Sequence, residues 1–413
     1  SDKDEWDQIV RRGAVKVHLP PEAQEIRKQY PDRIVGSRMI RHMKQPIGAP
    51  AKPKNRWCVW GHQDPDLEEL VDANQLESPT VAGTTIRAGL QTIASARLDL
   101  YLLDIANAFI QGGKLRRAQG RLFAEMPRGK PLPGLPIGTL IELVTPVYGL
   151  NDAPASWHKE LMAFLHSTGW VPLSSDPCWV VLRKEGFKDR FVSDQDVNIE
   201  GMILLHVDDM ICAGRGSSFE RRVKELRSRF EIKSWHKGKG EFLGCYIEQK
   251  PDYSIELNQE EYAKKIMPVK FLSSLSDDVL ATAAQVSAAR KTLGELSWLC
   301  KNSRGDVSVQ CSFGQQSMPD VRIRHLRQIN QAVRRARQNA AMRITFQSIP
   351  TKDFALVLHS DSSLANVKKL ATQGGYVLAA TSRDLSANRT APWCPLAWRS
   401  GRLRRVVNST LAG

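Results

Sequence analysis

The chain has 413 residues, of which 42% are hydrophobic and 25% charged, a composition that is typical of globular proteins and excludes a largely disordered chain. Its 59 Lys and Arg outnumber its 44 Asp and Glu, and the net charge of +15 favours a polyanionic partner such as nucleic acid over an ordinary basic surface. No stretch approaches the roughly 18 consecutive apolar residues of a membrane span, so a membrane partner is not expected.

The cysteines and the N-terminus indicate the compartment. Seven Cys are scattered without a C-x-x-C spacing, which argues against a zinc knuckle or a disulfide framework and for a reducing environment. The N-terminal residues SDKDEWDQIVRRGAV contain neither an apolar signal core nor an initiator Met. We therefore interpret the chain as a fragment of a longer intracellular product without a visible targeting signal.

The first half of the chain predicts a lead-in segment followed by helices and strands. Residues 1–50 are charged and interrupted by prolines, and they predict an extended lead-in with short helices. Apolar residues recur with helical spacing in 84–97, whereas 98–109 is rich in Leu and aromatic residues and predicts a buried strand. Pro154 stands where proline suits the first turn of a further helix.

The stretch GMILLHVDDMICAG, residues 201–214, predicts two strands joined by a bend at HVDD. Asp favours turns, so an ordinary hairpin tip is one explanation for Asp208 and Asp209. Apolar strand flanks these acids on both sides, however, and buried carboxylates need partners, for which a divalent cation is well suited. Asp104 follows three apolar residues and would stand at the end of another strand. Two such strand ends can hold two Mg²⁺ ions about 3.5–4 Å apart, an arrangement used in phosphoryl transfer.

Beyond residue 258 the pattern becomes helical. In residues 324–340, apolar side chains line one face of a helix and arginines cover the others, including Arg334, Arg335 and Arg337. A solvated helix face and a contact with a nucleic-acid backbone both remain open for these arginines.

Five short motifs follow in order: LDIANAFIQGG, PVYGLNDAPASWHKEL, HVDD, FLGCYIEQ and LNQEEYAKKI. HVDD resembles the Y-x-D-D box of reverse transcriptases, and the first motif resembles D-V-x-x-A-F-L-x-G of the copia-type retrotransposon enzymes. The others resemble their L-Y-G-L-x-Q-A-P-x-x-W, F-L-G-I-x-I and L-S-Q-x-x-Y segments. The resemblance implies an α+β right-hand polymerase, with fingers and palm at 51–257 and a helical thumb or connection at 258–341.

The function implied by this resemblance is RNA-directed DNA polymerisation, with two-metal transfer of nucleotides onto a primer 3′-OH by Mg²⁺ or Mn²⁺. The implied partners are an RNA template, a DNA primer, their duplex and deoxynucleoside triphosphates, in a cytoplasmic virus-like particle or the nucleus. A decayed element copy that folds and binds nucleic acid without catalysis is the alternative, and a standalone nuclease is a third. The three intact acids favour the polymerase, whereas His206 in place of Tyr favours the decayed copy.

The resemblance assigns catalytic and primer-binding positions. The family's catalytic carboxylates, which are also its metal ligands, match Asp104, Asp208 and Asp209. His206 occupies the position of the Tyr that lies near the primer end in the family. Gly244 matches the primer-grip turn, and its alternative is a bulge glycine. The arginines of the basic helix would contact the primer–template duplex.

The resemblance also assigns nucleotide-binding positions. Phe109 matches the aromatic residue that blocks a ribose 2′-OH, with a core Phe as the alternative. Tyr148 and Gly149 match the segment beneath the incoming nucleotide, and their alternative is a simple turn. Arg56 matches a fingers position that could contact the triphosphate, and its alternative is a solvated Arg. Shortly after Gly149, the sequence Asn-Asp replaces the common Lys-Gln of the family.

Residues 342–413 predict a second, separate α/β segment, with strand patterns in DFALVLHSDSSLAN, GGYVLAA and PLAWRSG. LHSDSSLAN resembles the first strand of an RNase H domain, and Asp361 matches its first metal ligand, with an Asp at a strand end as the alternative. WRSGRLRRVVNSTLAG resembles the segment before the Glu of the second ligand, and the chain stops one position short of it. Because two-metal hydrolysis needs several carboxylates, we expect a truncated RNase H-like domain without RNase H activity.

Overall fold

The computed structural model describes residues 1–44, 50–129, 131–183, 199–367 and 371–403. Within these ranges the chain has a mixed architecture of α-helices and mostly antiparallel sheets. The helices are α1 (Asp2–Arg11), α2 (Pro20–Gln29), α3 (Leu67–Asp72), α4 (Gly83–Ser95), α5 (Ala153–Ser167), α6 (Ser217–Arg229), α7 (Glu260–Lys265), α8 (Ala283–Asn302), α9 (Ser308–Gln316) and α10 (Ile323–Gln338). None of the helices in these described ranges is both long and apolar enough to cross a membrane.

The strands are β1 (Val15–His18), β2 (Ile34–Val35), β3 (Ser37–Lys44), β4 (Lys52–Val59), β5 (Asp99–Ile105), β6 (Phe123–Glu125), β7 (Leu140–Leu143), β8 (Trp170–Leu173), β9 (Asp176–Arg183), β10 (Ile199–His206), β11 (Asp209–Gly214), β12 (Ile232–Lys237), β13 (Lys239–Phe242), β14 (Cys245–Gln249), β15 (Ile255–Asn258), β16 (Arg343–Phe346), β17 (Phe354–Val367), β18 (Ala371–Ser382) and β19 (Cys394–Arg402).

A six-stranded antiparallel sheet in the order β12-β5-β11-β10-β9-β8, called the central sheet below, positions the candidate site. Consecutive residues 202–205 of β10 and 210–213 of β11 are buried. Continuous apolar runs of this kind are typical of strands whose two faces are both covered. The predicted strand, bend and strand of residues 201–214 are confirmed.

Helices α4 and α5 pack on the central sheet, as the spacing of their apolar residues predicts. Leu90 and Ile93 of α4 are fully buried in the shared core, and full burial of one such side chain stabilises a fold by about 1.5–3 kcal/mol. α5 has Pro154 in its first turn, where the missing N–H of proline costs no helical hydrogen bond. Both predicted helices are confirmed.

The described residues 1–44 belong to the folded body: the short helices predicted for residues 1–50 are present as α1 and α2, whereas the predicted extended lead-in is wrong. β1 and β2 lie in a four-stranded sheet of order β1-β7-β6-β2. Trp6 of α1 packs edge-on against Trp57 of β4, with ring centroids 5.5 Å apart. Pro20 opens α2 and Pro31 opens a 3-10 turn, so these two prolines mark helix starts instead of extended chain.

Helices α7 to α10 form a second core after residue 258 and are called the helical region below. Leu326, Ile329 and Val333 of α10 are buried, so the predicted amphipathic helix is confirmed. β16, which follows α10, pairs with β15 in a sheet of order β13-β14-β15-β16. β16 therefore shares a sheet with strands that precede the helical region, although it comes after the predicted domain boundary at residue 342.

Strands β17, β18 and β19 form a three-stranded antiparallel sheet, and the three strand predictions are confirmed. Arg87 of α4 connects this sheet to the rest of the fold. Its guanidinium donates hydrogen bonds to the carbonyls of Leu396 at 2.6 Å and Lys301 at 3.0 Å, and it lies 4.2 Å from the ring centroid of Trp398. One buried cation thus joins α4, α8 and β19.

Candidate active site

The turn between β10 and β11 carries two of the predicted catalytic acids. His206 pairs with Asp209, so Val207 and Asp208 form a two-residue hairpin turn. Val207 has φ +57°, in the left-handed region that a β-branched residue rarely adopts. Backbone strain of this kind persists only where neighbouring contacts hold it, and it concentrates at functional sites.

Strand pairing brings Asp104 to the same place. Asp104 stands opposite Asp209 in the β5–β11 pair, and directly opposed residues of an antiparallel sheet have Cβ atoms about 4.5–5.5 Å apart. The Ile105 amide donates a hydrogen bond of 2.9 Å to the Asp208 carbonyl and ties β5 to the turn. The strand register therefore sets Asp104 beside Asp209, with Asp208 in the adjoining turn, and each of the three acids is partly exposed to solvent.

Lysines of the neighbouring strand β12 face the acids of β5. The Lys233 ammonium forms an ion pair with the Asp104 carboxylate. Further along the same two strands, Lys237 pairs with Asp99 at 2.8 Å. Both lysine side chains are more than half exposed, so each pair is only weakly stabilising in water.

The chemistry of the three acids fits a divalent cation, because carboxylate oxygens are the ligands that Mg²⁺ and Mn²⁺ prefer. In the part of the chain that the structure describes, however, no three His, Cys, Asp or Glu side chains are placed to hold a metal ion together. The strand register thus suits such a site, while the Asp104 side chain engages Lys233 instead of joining a ligand shell.

Tyr148 contacts two other predicted nucleotide-binding residues, Phe109 and Arg56. The ring centroids of Phe109 and Tyr148 are 5.2 Å apart, and the Arg56 guanidinium lies 4.3 Å from the Tyr148 centroid. Burial raises the pKa of Tyr148 to about 12, with smaller contributions from the Asp208 and Asp104 carboxylates. The Tyr148 side chain is therefore a neutral phenol at neutral pH.

Gly149 allows this loop to approach β4. Its φ is +99°, and a Cβ at this position would lie 2.1 Å from the Val59 carbonyl oxygen. The Val59 amide donates to the Tyr148 carbonyl at 2.9 Å. Only glycine tolerates both the backbone conformation and the close contact. The predicted role of Gly149 beneath the nucleotide remains a prediction.

The two predicted primer-binding positions lie at hairpin turns. His206 is half-buried, and burial lowers the pKa of its imidazole. Leu243 and Gly244 join β13 to β14 with φ values of +52° and +73°, as a type I′ turn with Gly in its second position requires. A Cβ at Gly244 would lie 4.0 Å from the indole nitrogen of Trp298 in α8. Gly244 is thus a turn glycine beside the helical region, and its contact with a primer remains a prediction.

The arginines of the basic helix lie in the helical region. Arg334, Arg335 and Arg337 are exposed on α10. Arg335 is 3.4 Å from the carboxylate of Asp306. Exposure is compatible with a solvated face and with a nucleic-acid contact, so both explanations stay open.

Asp361 is exposed on β17, where its carboxylate accepts a hydrogen bond of 2.8 Å from the Ser362 amide. With His359 and Ser400 it lines a cavity of about 490 Å³, and no other acid is among the described residues that line this cavity. Its role as a metal ligand remains a prediction. Of the segment that resembles the approach to the second RNase H ligand, residues 404–413 lie outside the described residues.

A buried ion-pair cluster near the Tyr148 loop was not predicted from the sequence. Arg117 pairs with Asp64 and with Asp152 at 2.7 Å each, and all three side chains are buried. Asp152, which replaces the common Gln of the family, is therefore a partner of Arg117. The partners are 53 and 35 residues from Arg117 along the chain, so no local spacing indicates the cluster.

The sequence model of one protein family, "Reverse transcriptase (RNA-dependent DNA polymerase)", matches residues 27–276, more than half of the chain. The chain belongs to the reverse transcriptase family. The predicted resemblance is thus confirmed, and the matched residues include the acid hairpin, the Tyr148 loop and the β13–β14 turn.

Plant transposon polyproteins are among the curated relatives of this chain. The chain is 27% identical over 199 residues to the retrovirus-related Pol polyprotein from transposon TNT 1-94 of Nicotiana tabacum, covering 48% of the chain and 14% of the relative. It is 28% identical over 235 residues to the corresponding polyprotein from transposon RE1 of Arabidopsis thaliana, covering 55% and 14%. The chain therefore spans about one seventh of the length of the curated relatives it matches.

Among solved structures, the chain is similar to a foamy viral protease-reverse transcriptase in complex with double-stranded DNA. The TM-score is 0.48 at 9% sequence identity, and the match covers 97% of this chain and 56% of the other.

Proposed function

We propose that the chain is an RNA-directed DNA polymerase that adds deoxynucleotides to a primer 3′-OH, and that its architecture is a right hand. The central sheet would be the palm, the β3–β4 hairpin and the N-terminal sheet the fingers, and the helical region the thumb. The observation that carries the proposal is the strand register that sets Asp104 opposite Asp209, with Asp208 in the adjoining turn.

Asp104, Asp208 and Asp209 would hold Mg²⁺ or Mn²⁺. When bound at such a site, these ions lower the pKa of the attacking hydroxyl and neutralise charge on the leaving pyrophosphate. The chain itself contributes orientation, because rigid paired strands hold the acids in place before the substrate arrives. Lys233 would release Asp104 when the site is loaded.

The cluster of Arg56, Phe109 and Tyr148 would receive the deoxynucleoside triphosphate. The Phe109 ring would fill the space of a ribose 2′-OH and exclude ribonucleotides by overlap. Arg56 stands opposite Ile40 in the β3–β4 hairpin, and His42 opposite Lys54 follows on the same face. This cationic face suits a triphosphate or a template backbone.

The RNA template, the DNA primer and their duplex would lie across the central sheet. The β13–β14 turn at Gly244 and the arginines of α10 would contact the duplex through its backbone. Exposed arginines, together with the net charge of +15, support such a contact. We place the chain in a cytoplasmic virus-like particle or the nucleus, where an element's RNA is copied.

Primer extension on an RNA template with Asp208→Asn tests the proposal. We expect the variant to lose extension by about a hundredfold or more, because a ligand for transition-state charge is removed. Duplex affinity should stay near that of the unaltered chain, since phosphate contacts elsewhere supply most of it. If the unaltered chain binds duplex but extends no primer with either Mg²⁺ or Mn²⁺, it is a nucleic-acid-binding protein and the polymerase proposal is wrong.

A further inference from the structure

A tryptophan from α5 is bonded to the turn that carries the acids. The Trp157 indole N–H donates a hydrogen bond of 2.7 Å to the carbonyl of Val207. Trp157 is 1% exposed and lies in the core shared by α5 and the central sheet. The bond joins a rigid helix to the residue directly before Asp208.

This bond acts where the backbone is strained. Val207 has φ +57°, which a β-branched residue adopts only under constraint from its surroundings. An indole has one donor in a fixed direction, so it specifies the position of the carbonyl that it meets. Without the indole donor, the Val207 carbonyl would lack a hydrogen bond at a partly buried site. The turn would then lower its free energy by leaving the strained conformation.

The Trp157 ring is itself held firmly. It packs edge-on against Phe230, with ring centroids 5.2 Å apart and an interplanar angle of 81°. Its backbone also meets the loop that follows Asp104, since a Cβ at Gly112 would lie 3.0 Å from the Trp157 amide nitrogen. The same residue therefore contacts both chain segments that carry acids.

We propose that Trp157 is the positioning residue of the acid hairpin. Its N–H fixes the Val207 carbonyl and keeps Val207 in the left-handed conformation of the turn, which carries Asp208 next to the opposed pair of Asp209 and Asp104. Trp157 touches no reacting atom in this role and acts through the backbone of the turn. The catalytic part of the inference rests on the proposed polymerase function, whereas the conformational part does not.

Two replacements separate the hydrogen bond from packing. Trp157→Phe removes the donor and part of the ring. Replacement of Trp157 by β-(3-benzothienyl)alanine exchanges the indole N–H for sulfur and keeps the shape of the ring system. Trp170→Phe is the matched control, because Trp170 is 2% exposed in the same core, packs on Phe219, and makes no side-chain hydrogen bond to any residue that the structure describes.

Hydrogen–deuterium exchange is the first measurement, and it needs neither metal nor substrate. We expect amides of residues 206–210 and of Ile105 to exchange about tenfold faster in both Trp157 replacements and at the unaltered rate in Trp170→Phe. If the benzothienyl replacement exchanges like the unaltered chain, Trp157 contributes packing alone and the inference is overturned.

Steady-state extension is the second measurement. We expect kcat to fall about tenfold in both Trp157 replacements, with KM for nucleotide within about twofold, because orientation of the acids is lost and substrate contacts remain. An equal loss in Trp170→Phe would contradict a positioning role. If the unaltered chain extends no primer, the proposed function fails, and the exchange measurement still decides whether Trp157 holds the turn.

Discussion

The central sheet and the β17–β19 sheet each present an aspartate that the family resemblance assigns to metal binding, and they place it differently. Asp104 stands opposite Asp209 at the end of a buried strand. Asp361 stands on an exposed strand, and no other acid is among the described residues lining its cavity. The two acids occur in similar apolar sequence patterns, so the partners supplied by long-range strand pairing distinguish them.

The same contrast holds for the cations. Arg56 lies over the Tyr148 ring, whereas Arg334 and Arg337 are exposed on a helix of a separate core. A cation in the first position can act on one bound nucleotide. Exposed cations in the second position would meet either an extended partner such as a duplex or solvent alone.

The largest expected effect separates the two sheets directly. Asp104→Asn should lower the rate of primer extension by about a hundredfold or more, because it removes a ligand for transition-state charge. Asp361→Asn should leave that rate within about twofold, because an exposed residue outside the central sheet contributes little to it. Single-turnover extension of one primer–template measures both. A comparable loss in the two variants would remove the distinction between the sheets.

The next effect concerns the cluster of Arg56, Phe109 and Tyr148. Phe109→Ala should raise the ratio of kcat/KM for ribonucleotides over deoxynucleotides on the order of tenfold, because space opens at the 2′ position. Phe164→Ala is the control, since Phe164 is a half-buried ring that packs on Phe230 instead of Tyr148. A fall in total activity with an unchanged ratio would make Phe109 a core residue.

The basic helix should show a weaker and less specific effect. Replacing Arg334, Arg335 and Arg337 with Ala should reduce affinity for unrelated duplexes equally. The slope of log affinity against log salt should flatten by up to roughly 0.9 per lost phosphate contact. The double variant Arg324→Ala and Arg327→Ala is the control, because these two arginines of the same helix are paired with Asp278 and Asp277. If the triple variant keeps the original slope, its arginines only meet solvent.

The smallest effect tests the lysines of β12. Lys233→Met should lower the Mg²⁺ concentration for half-maximal extension about two- to threefold, because it removes an ammonium that competes for the Asp104 carboxylate. Lys237→Met, whose pair with Asp99 lies further along the same strands, should leave that concentration unchanged. Metal titrations of extension rate compare the two. Equal shifts would show a general charge effect instead of local competition.

Local patterns predicted the parts of the fold that depend on local physics. The apolar strands of the acid hairpin, the stripe of α4 and the three strands after residue 353 all appear where expected, because burial imposes a period on the sequence. The lead-in was mispredicted because prolines such as Pro20 suit a first helical turn as well as extended chain.

Long-range contacts were not predictable from one sequence. The Trp157–Val207 bond spans 50 residues, and neither residue type alone indicates the other. Likewise, the sequence shows Asp152 only as a departure from the family pattern, whereas the structure shows that it forms an ion pair with Arg117. The resemblance predicted that Asp104, Asp208 and Asp209 form one site, and the strand register sets Asp104 opposite Asp209 with Asp208 in the adjoining turn.

The two-residue turn at Val207 and Asp208 also limits how this region can change during evolution. Neighbouring side chains on a strand point to opposite faces, so one residue inserted into or deleted from β11, with no β-bulge to absorb it, would turn the side chains beyond it to the other face. Buried residues such as Met210 and Cys212 would then exchange places with their neighbours, and the pairing of Asp104 with Asp209 would be lost. The hairpin can therefore diverge by substitution while its length stays fixed.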